Sequence, residues 1–550
     1  MGDWAVWLEW GALLGVVAVA WFASGPLARL VRRMNGAFEQ LHERPQSVVA
    51  LAFVLGALGP FLFASAASWP VPRVHDEYSY LLAADTFASG QLCEPSPPCA
   101  EQLEAFHVVT RPVYASKYPS GQGLALALGQ VLFGEPIYGV WLTSGLLCGA
   151  MAWLLLALFP PRWALVGLCV VFAKFALTTY WAQSFWGGSL TAAGAALAFA
   201  ALVRIFERGS FTLGALLGVG VALLALTRPF EGVLAALPLA AALGVWSVRR
   251  LRAGAGRELA STLVGAAVPL VACALWIAAL NRAVTGDPLR MPYFLHDAQY
   301  AVAPPFLWQE AAPRPHYATA EIERFWTGFA YDLWAEQQNW AGFLQRARIK
   351  LGTWWGFFVG APLALALALA PFALRRRWIA FSALGFACVA SGVLVVAYDL
   401  AHYLAPAAPW IVVLTVAGLR ESSRWRVLRT SRRGRALLAA VVALLAAECA
   451  VRGYKHVRPE TAFEQRRARL EQELAQGERK VLVVVRYSAD HSVHEDWVYN
   501  GARPAEQRVL WARDHGEAAR ERLRECYPGR AGFLLEIGPQ GASPLTPLWP

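Results

Sequence analysis

Asp76 and Glu77 stand side by side in the stretch RVHDEYSYLLAADTF, directly after an apolar run long enough to cross a bilayer. A carboxylate that stays ionised at neutral pH can take a proton from an acceptor hydroxyl. Neighbouring side chains point about 100° apart on a helix, so the two cannot face one target together, and they are not the paired carboxylates of a glycosidase. One is expected to act as base and the other as a structural or metal-contacting partner. A plainer reading of Asp76 competes. Tyr80, Leu81, Ala84 and Ala88 recur at helical spacing, so a helix begins near Asp76, where Asp is a favoured N-cap and Glu77 complements the dipole.

Cations suited to a phosphate lie further along. Arg228, fixed by Pro229 between two apolar runs, can fork onto a phosphate; the alternative is an ion pair with Glu231. Lys117 in ASKYPSGQG offers a point charge to a lipid phosphate, or snorkels to the interface. His107 and Arg111 share its loop, and His402 with Tyr403 opens a late apolar run. Tyr180, Trp181 and Trp186 present ring faces to a sugar or an isoprenoid, although rings are also ordinary at membrane interfaces. In DHSVHED, His491 and His494 would meet on one helical turn, but the segment follows a strand and is expected to be a solvated loop rather than a metal site.

These residues are positioned by membrane spans. The chain has 550 residues, 57% of them hydrophobic and only 16% charged, and a mean hydropathy of +0.40. It reads as a polytopic α-helical membrane protein, and the apolar runs lack the alternation of a β-barrel. Spans are expected near 4–24, 47–67, 136–158, 162–180, 187–205, 211–227, 230–248, 260–280, 351–371, 378–397, 401–419 and 436–452, about twelve in all. The run at 121–133 is too short to span and reads as re-entrant or interfacial. Omitting it puts every Arg-rich turn on one side, and the loops at 68–120 and 281–350 on the other. By the positive-inside rule the Arg-rich turns are cytoplasmic, so both long loops and both termini are expected outside, in the periplasm of a bacterial inner membrane.

The net charge of +11 then belongs to turns that meet anionic lipid, and no basic-aromatic module points to nucleic acid. The N-terminus lacks a signal-peptide cleavage pattern and reads as a retained span within a transmembrane domain of residues 1–452. From 453 to 550 hydropathy collapses, and VLVVVRY with its flanking helical stretch announces a small extramembrane α/β domain. Cys93 and Cys99 are expected to pair if their loop faces an oxidising compartment.

The combination resembles the GT-C superfamily of integral-membrane glycosyltransferases, which includes protein O-mannosyltransferases and aminoarabinose transferases. Asp76-Glu77 opens the first large outer loop after a span, KYPSGQG…LFG follows, and HYLAP precedes a late span. The chain is similar, more closely, to a bacterial group carrying HDE(F/Y)SYLLAADTF, YWxxSxWGG and RP(F/Y)EG. The resemblance implies a polyprenyl-phosphate or diphosphate sugar donor, an acceptor hydroxyl in the cell envelope, and inversion at the anomeric carbon. It implies Asp76 as general base and Lys117 as a phosphate contact, whereas Arg228 and His402 come from topology. It leaves room for a divalent cation, Mg or Mn, between Asp76 or Glu77 and the donor phosphate, though no complete ligand set is legible. The departures are an extra N-terminal span and a short C-terminal domain. A flippase for a lipid-linked saccharide is the rival reading, and would place charged or broken positions near the bilayer midplane.

Overall fold

The computed structural model describes residues 44–422, 433–456, 462–539 and 541–549. Among these, seven helices are long and apolar enough to cross a membrane. They are α1 (Pro45–Ala66), α4 (Ile137–Leu158), α8 (Pro229–Arg252), α9 (Gly256–Thr285), α10 (Trp340–Trp354, continuing to Ala373), α11 (Arg377–Leu394) and α12 (Ala408–Ser422, entered through a tight turn from Ala401). The expected count of about twelve is not reached by this measure. The run at 4–24 lies outside the described residues, as do most of the basic residues at 420–435. The expected span at 162–180 is broken: α5 (Pro161–Val171) gives way to a widened turn over Phe172–Ala176.

Two further apolar helices are shorter. α6 (Ser189–Ile205) and α7 (Phe211–Thr227) have 17 residues each, and α6 is buried along nearly its whole length inside the bundle. α7 packs on α9 through a small-residue seam, Gly214-x-x-x-Gly218 against Gly265. A Cβ added at Gly214 would lie 2.0 Å from the Thr262 carbonyl oxygen, so the helix backbones approach as only glycine allows. The run at 121–133 forms α3 (Ser120–Phe133), about 21 Å long and therefore too short to span. Its first half is buried, while Leu128, Val131, Leu132 and Phe133 are exposed.

The first long loop carries α2 (His75–Ala88) and three short strands that form a small antiparallel sheet. Helix α13 (Arg433–His456) leads to the C-terminal domain. There α14 (Phe463–Gln476) precedes β1 (Val481–Tyr487), which lies between β2 (Val509–Arg513) and β3 (Ala531–Gly538), parallel to both. α15 (Glu517–Cys526) makes the crossover, and β4 (Gly541–Ala542) and β5 (Thr546–Trp549) add antiparallel to β3. β1 is apolar on both faces, as a covered parallel strand must be. Val483 and Val485 pack toward Leu470 and Leu474 of α14, and Leu482 and Val484 toward Leu523 and Tyr527.

This domain is tied to the first loop. Cys99 is bonded to Cys526, 427 residues away, and the expected Cys93–Cys99 bridge is absent. Cys99 takes a left-handed backbone conformation, φ 55°, that turns it toward α15, while the free Cys93 thiol lies against the Ala283 carbonyl. Tyr499 stacks on Tyr78 with centroids 3.9 Å apart, and the Ala502 amide donates to Asp85 at 2.7 Å. Arg513 is buried, donating to Asp496 at 2.6 Å and to the Glu104 carbonyl at 2.8 Å.

Candidate active site

The loops at the span ends enclose one cavity of about 370 Å³, within the range of small-ligand sites. Asp76, His107, Lys117, Trp186, Arg228, Glu231 and Tyr403 all line it. Of the sequence-derived residues, Glu77, Arg111, Tyr180, Trp181 and His402 do not.

Asp76 does not cap its helix. α2 begins one residue earlier, at His75, with Val74 in the extended N-cap position and no side-chain cap bond. Asp76 therefore sits in the first turn, where its carboxylate is favoured by the helix dipole and accepts a short hydrogen bond from the Tyr118 hydroxyl. Tyr80 stacks on Tyr118 at 4.7 Å and holds that ring in place.

Glu77 points away from the cavity. One carboxyl oxygen accepts the Arg73 amide at 3.2 Å and the other the Phe185 amide at 3.0 Å. It is 1% exposed, and ties α2 to the turn that presents Trp186. The expectation of a catalytic Glu77 is thereby corrected to a structural one, because both oxygens already hold backbone donors. Burial pushes its carboxyl from the ordinary 4.5 up to about 7. The folded protein then keeps a proton that the unfolded chain releases, so this group removes stability as pH rises from about 4.5 to about 7. Glu77→Gln is expected to abolish that decline, worth on the order of 3 kcal/mol. Thermal melts of both proteins in detergent at several pH values across the window check it.

Lys117 is 3% exposed, and its ammonium lies 3.8 Å from Asp297 and over the rings of Tyr293 (4.6 Å) and Trp326 (5.0 Å). Burial lowers its pKa, while Asp297 and Asp76 pull it back up, so a phosphate arriving beside it would favour the charged form further. Arg228 ends α7 and caps α8, and its guanidinium stacks over Tyr403 at 4.4 Å. Glu231 is its ion-pair partner, at 3.9 Å and without a short hydrogen bond. The pair is real, and Arg228 still faces the cavity.

Trp186 lines the wall and packs on His402 at 4.8 Å. His402 lies behind that ring, 3.3 Å from the Tyr180 hydroxyl, and is a supporting residue rather than a phosphate contact. Trp181 is fully buried against Phe175 and Phe357, so it offers no face to a ligand. Arg111 is exposed and pairs with Glu101 at 3.3 Å, outside the cavity.

The sequence reading missed Asp297, which holds Lys117, and the role of His494, which reaches the cavity from the C-terminal domain. Asp297 had a signal: FLHDAQY places a second His-Asp pair in the second long loop. His491 and His494 do not share a helical turn. His491 stacks on Tyr487 and bonds the Glu495 carbonyl, while His494 meets Phe329. Among the described residues no three His, Cys, Asp or Glu side chains converge as metal ligands. The carboxyl oxygens of Glu77 both hold backbone amides, so of the two carboxylates only Asp76 faces the cavity in which a cation beside a donor phosphate would sit.

No protein-family model and no curated protein sequence matches the chain. Solved structures do. ArnT from Cupriavidus metallidurans in the apo state superposes with a TM-score of 0.50 over 88% of this chain and 92% of that one, at 13% identity. The same protein bound to undecaprenyl phosphate gives 0.49 over 88% and 92%, at 14% identity. The apo oligosaccharyltransferase of Archaeoglobus fulgidus gives 0.43 over 90% and 69%, at 10% identity. The chain thus shares the fold of the ArnT apo structure. That fold agrees with the resemblance carried by Asp76-Glu77, KYPSGQG and HYLAP, although the HYLAP histidine lies behind the cavity wall.

Proposed function

We propose that the protein is an inverting glycosyltransferase that moves a sugar from a polyprenyl-phosphate or polyprenyl-diphosphate donor to an acceptor hydroxyl. The observation that carries this reading is that Asp76, Lys117 and Arg228 line one cavity at the ends of the membrane helices. Lys117 and Arg228 hold the donor phosphate. An apolar crevice lined by Ala225, Leu226, Ile277 and Leu280 adjoins them, sharing Lys117, Tyr118 and Pro229 with the main cavity, and takes the first isoprene units. Asp76 takes the proton of the acceptor hydroxyl as its oxygen bonds the anomeric carbon, and the bond to the phosphate oxygen breaks. The leaving phosphate gains negative charge, which the two fixed cations stabilise in a site largely shielded from water. Tyr118 keeps Asp76 oriented through its hydrogen bond.

The site faces the periplasm of a bacterial inner membrane in this reading. The Arg-rich turns at 248–252 and 375–377 lie at the other helix ends, and Cys99–Cys526 suits an oxidising compartment. The flippase reading retains one favouring feature. Lys174 is buried in the bundle, paired with Glu448 at 2.9 Å, next to the widened turns at 172–176 and 355–359. Purified protein in lipid, given a panel of polyprenyl-phosphate sugars and envelope acceptors, decides. Sugar transfer is expected; movement of the intact lipid-linked saccharide across vesicles without transfer would favour the flippase.

A further inference from the structure

Three imidazoles form a row along one wall of the cavity. His494 and His75 have ring centroids 6.0 Å apart, and His75 and His107 are 5.9 Å apart. Phe325 backs all three, and Phe329 meets His494 edge to face at 4.6 Å. Two of the three come from the first long loop and one from the C-terminal domain, so the row exists only when that domain is docked. His75 is the joint. Its Nδ1 bonds the Tyr499 hydroxyl at 2.5 Å, and Tyr499 stacks on Tyr78 beside it.

Two of the rings have capacity left over. His75 and His107 are 5% and 6% exposed and line the cavity, yet His75 Nε2 and His107 Nδ1 have no hydrogen-bond partner. The Val493 carbonyl lies beside the His75 ring and interacts with it, which leaves His107 Nδ1 as the clearer vacancy. His107 also holds a left-handed backbone, φ 62°, uncommon for a residue with a side chain and fixed here by Ser79 and the Lys117 amide bonding its carbonyl. A buried polar atom without a partner costs stability, and at a cavity wall it marks a place a ligand fills.

We propose that this wall is the acceptor subsite, completed by His494, and that it takes a neutral hydroxyl-bearing group such as a saccharide ring. The inference rests on the transferase reading for the word acceptor. Burial holds all three rings below the ordinary histidine value: His75 at about 3, His107 well below it, and His494 lowered as well. The charges that face them are few. Asp496 and Arg513 near His75 are bound to each other, Lys117 lies near His107, and Glu495 near His494. A neutral imidazole has one donor and one acceptor; His75 Nδ1 is taken by Tyr499, and a nitrogen left over on these rings can pair with a hydroxyl, which is both donor and acceptor. An anionic group would find no cation of its own on this wall. The Phe325 and Phe329 rings offer apolar faces to the C–H side of a sugar.

The test is binding to the full chain in lipid nanodiscs by saturation-transfer NMR, so that no turnover is needed. The probes are neutral methyl hexosides, hexose 6-phosphates and, separately, undecaprenyl phosphate. Neutral methyl hexosides are expected to bind the wild type. His494→Ala should weaken them by about tenfold, with part of the loss restored in His494→Gln, while undecaprenyl phosphate binding is unchanged. An intact Cys99–Cys526 bond in each variant shows that the domain is still docked. The proposal is overturned by hexoside binding that neither His494→Ala nor His107→Gln alters, by hexose 6-phosphates binding the wild type more tightly than neutral hexosides, or by no hexoside signal at all. Failure of the wild type to bind undecaprenyl phosphate would instead break the transferase reading and leave the imidazole subsite standing.

Discussion

Asp76→Asn is expected to lower the turnover number for sugar transfer by about three orders of magnitude, with little change in KM for the lipid donor. The magnitude follows from the role: a positioned base contributes roughly 10²- to 10⁴-fold, and an amide cannot accept the acceptor's proton. The variant is informative because its structural consequences are small. The Asn carbonyl can still accept the Tyr118 hydrogen bond, and no N-cap is lost, because α2 starts at His75 without a side-chain cap. In the proposed reading donor affinity resides in Lys117 and Arg228, and Lys117 keeps Asp297 as its nearest carboxylate when the Asp76 charge is removed. Steady-state kinetics in lipid at saturating acceptor, with a melting curve beside them, separate the two effects. Turnover within tenfold of wild type would move the base to another cavity carboxylate, Asp399 or Glu231.

The site was legible in the sequence where ionisable residues interrupt apolar runs. Asp76, Lys117 and Arg228 could be singled out because burying charge at a span boundary is costly without a purpose. What the sequence withheld was direction. Adjacent carboxylates on a helix must diverge, but only the fold decides that Asp76 turns to the cavity and Glu77 to the Arg73 and Phe185 amides. His402 and Trp186 come from different segments, and which of them stands in front was equally hidden. The seven long apolar helices were legible from hydropathy, because a bilayer demands continuous apolar length, whereas the count of about twelve spans was not reached. The break after Val171 was not legible, since FAKFA carries neither Gly nor Pro to announce the widened turn that holds the buried Lys174.

Long-range pairing was the other blind spot. Cys93 and Cys99 are close in sequence, yet Cys99 finds Cys526 because the C-terminal domain docks on the first loop. His494 is unreadable for the same reason: a loop after a strand becomes a cavity wall only through that docking. The motif DHSVHED looked like one cluster, and the fold separates its two histidines into a bond with the Glu495 carbonyl and a face toward Phe329.

Arg228→Gln is expected to reduce kcat/KM for the donor by two to three orders of magnitude, the range found when a fixed group that stabilises developing negative charge is removed. The single variant cannot make the case, because Glu231 is buried beside Arg228 and would be left without its cation. Stranding a buried charge in this way costs about 3–5 kcal/mol, enough to lower activity through unfolding alone. The combined variant Arg228→Gln with Glu231→Gln removes both charges and is expected to recover most of the lost stability. If the pair only braces the joint between α7 and α8, transfer returns with stability. If Arg228 holds the donor phosphate, the double variant melts near the wild type and remains as slow as the single one. Arg228→Lys completes the argument: it keeps the charge and loses the fork, so an intermediate kcat/KM with retained stability shows that bidentate geometry, as well as charge, acts on the phosphate.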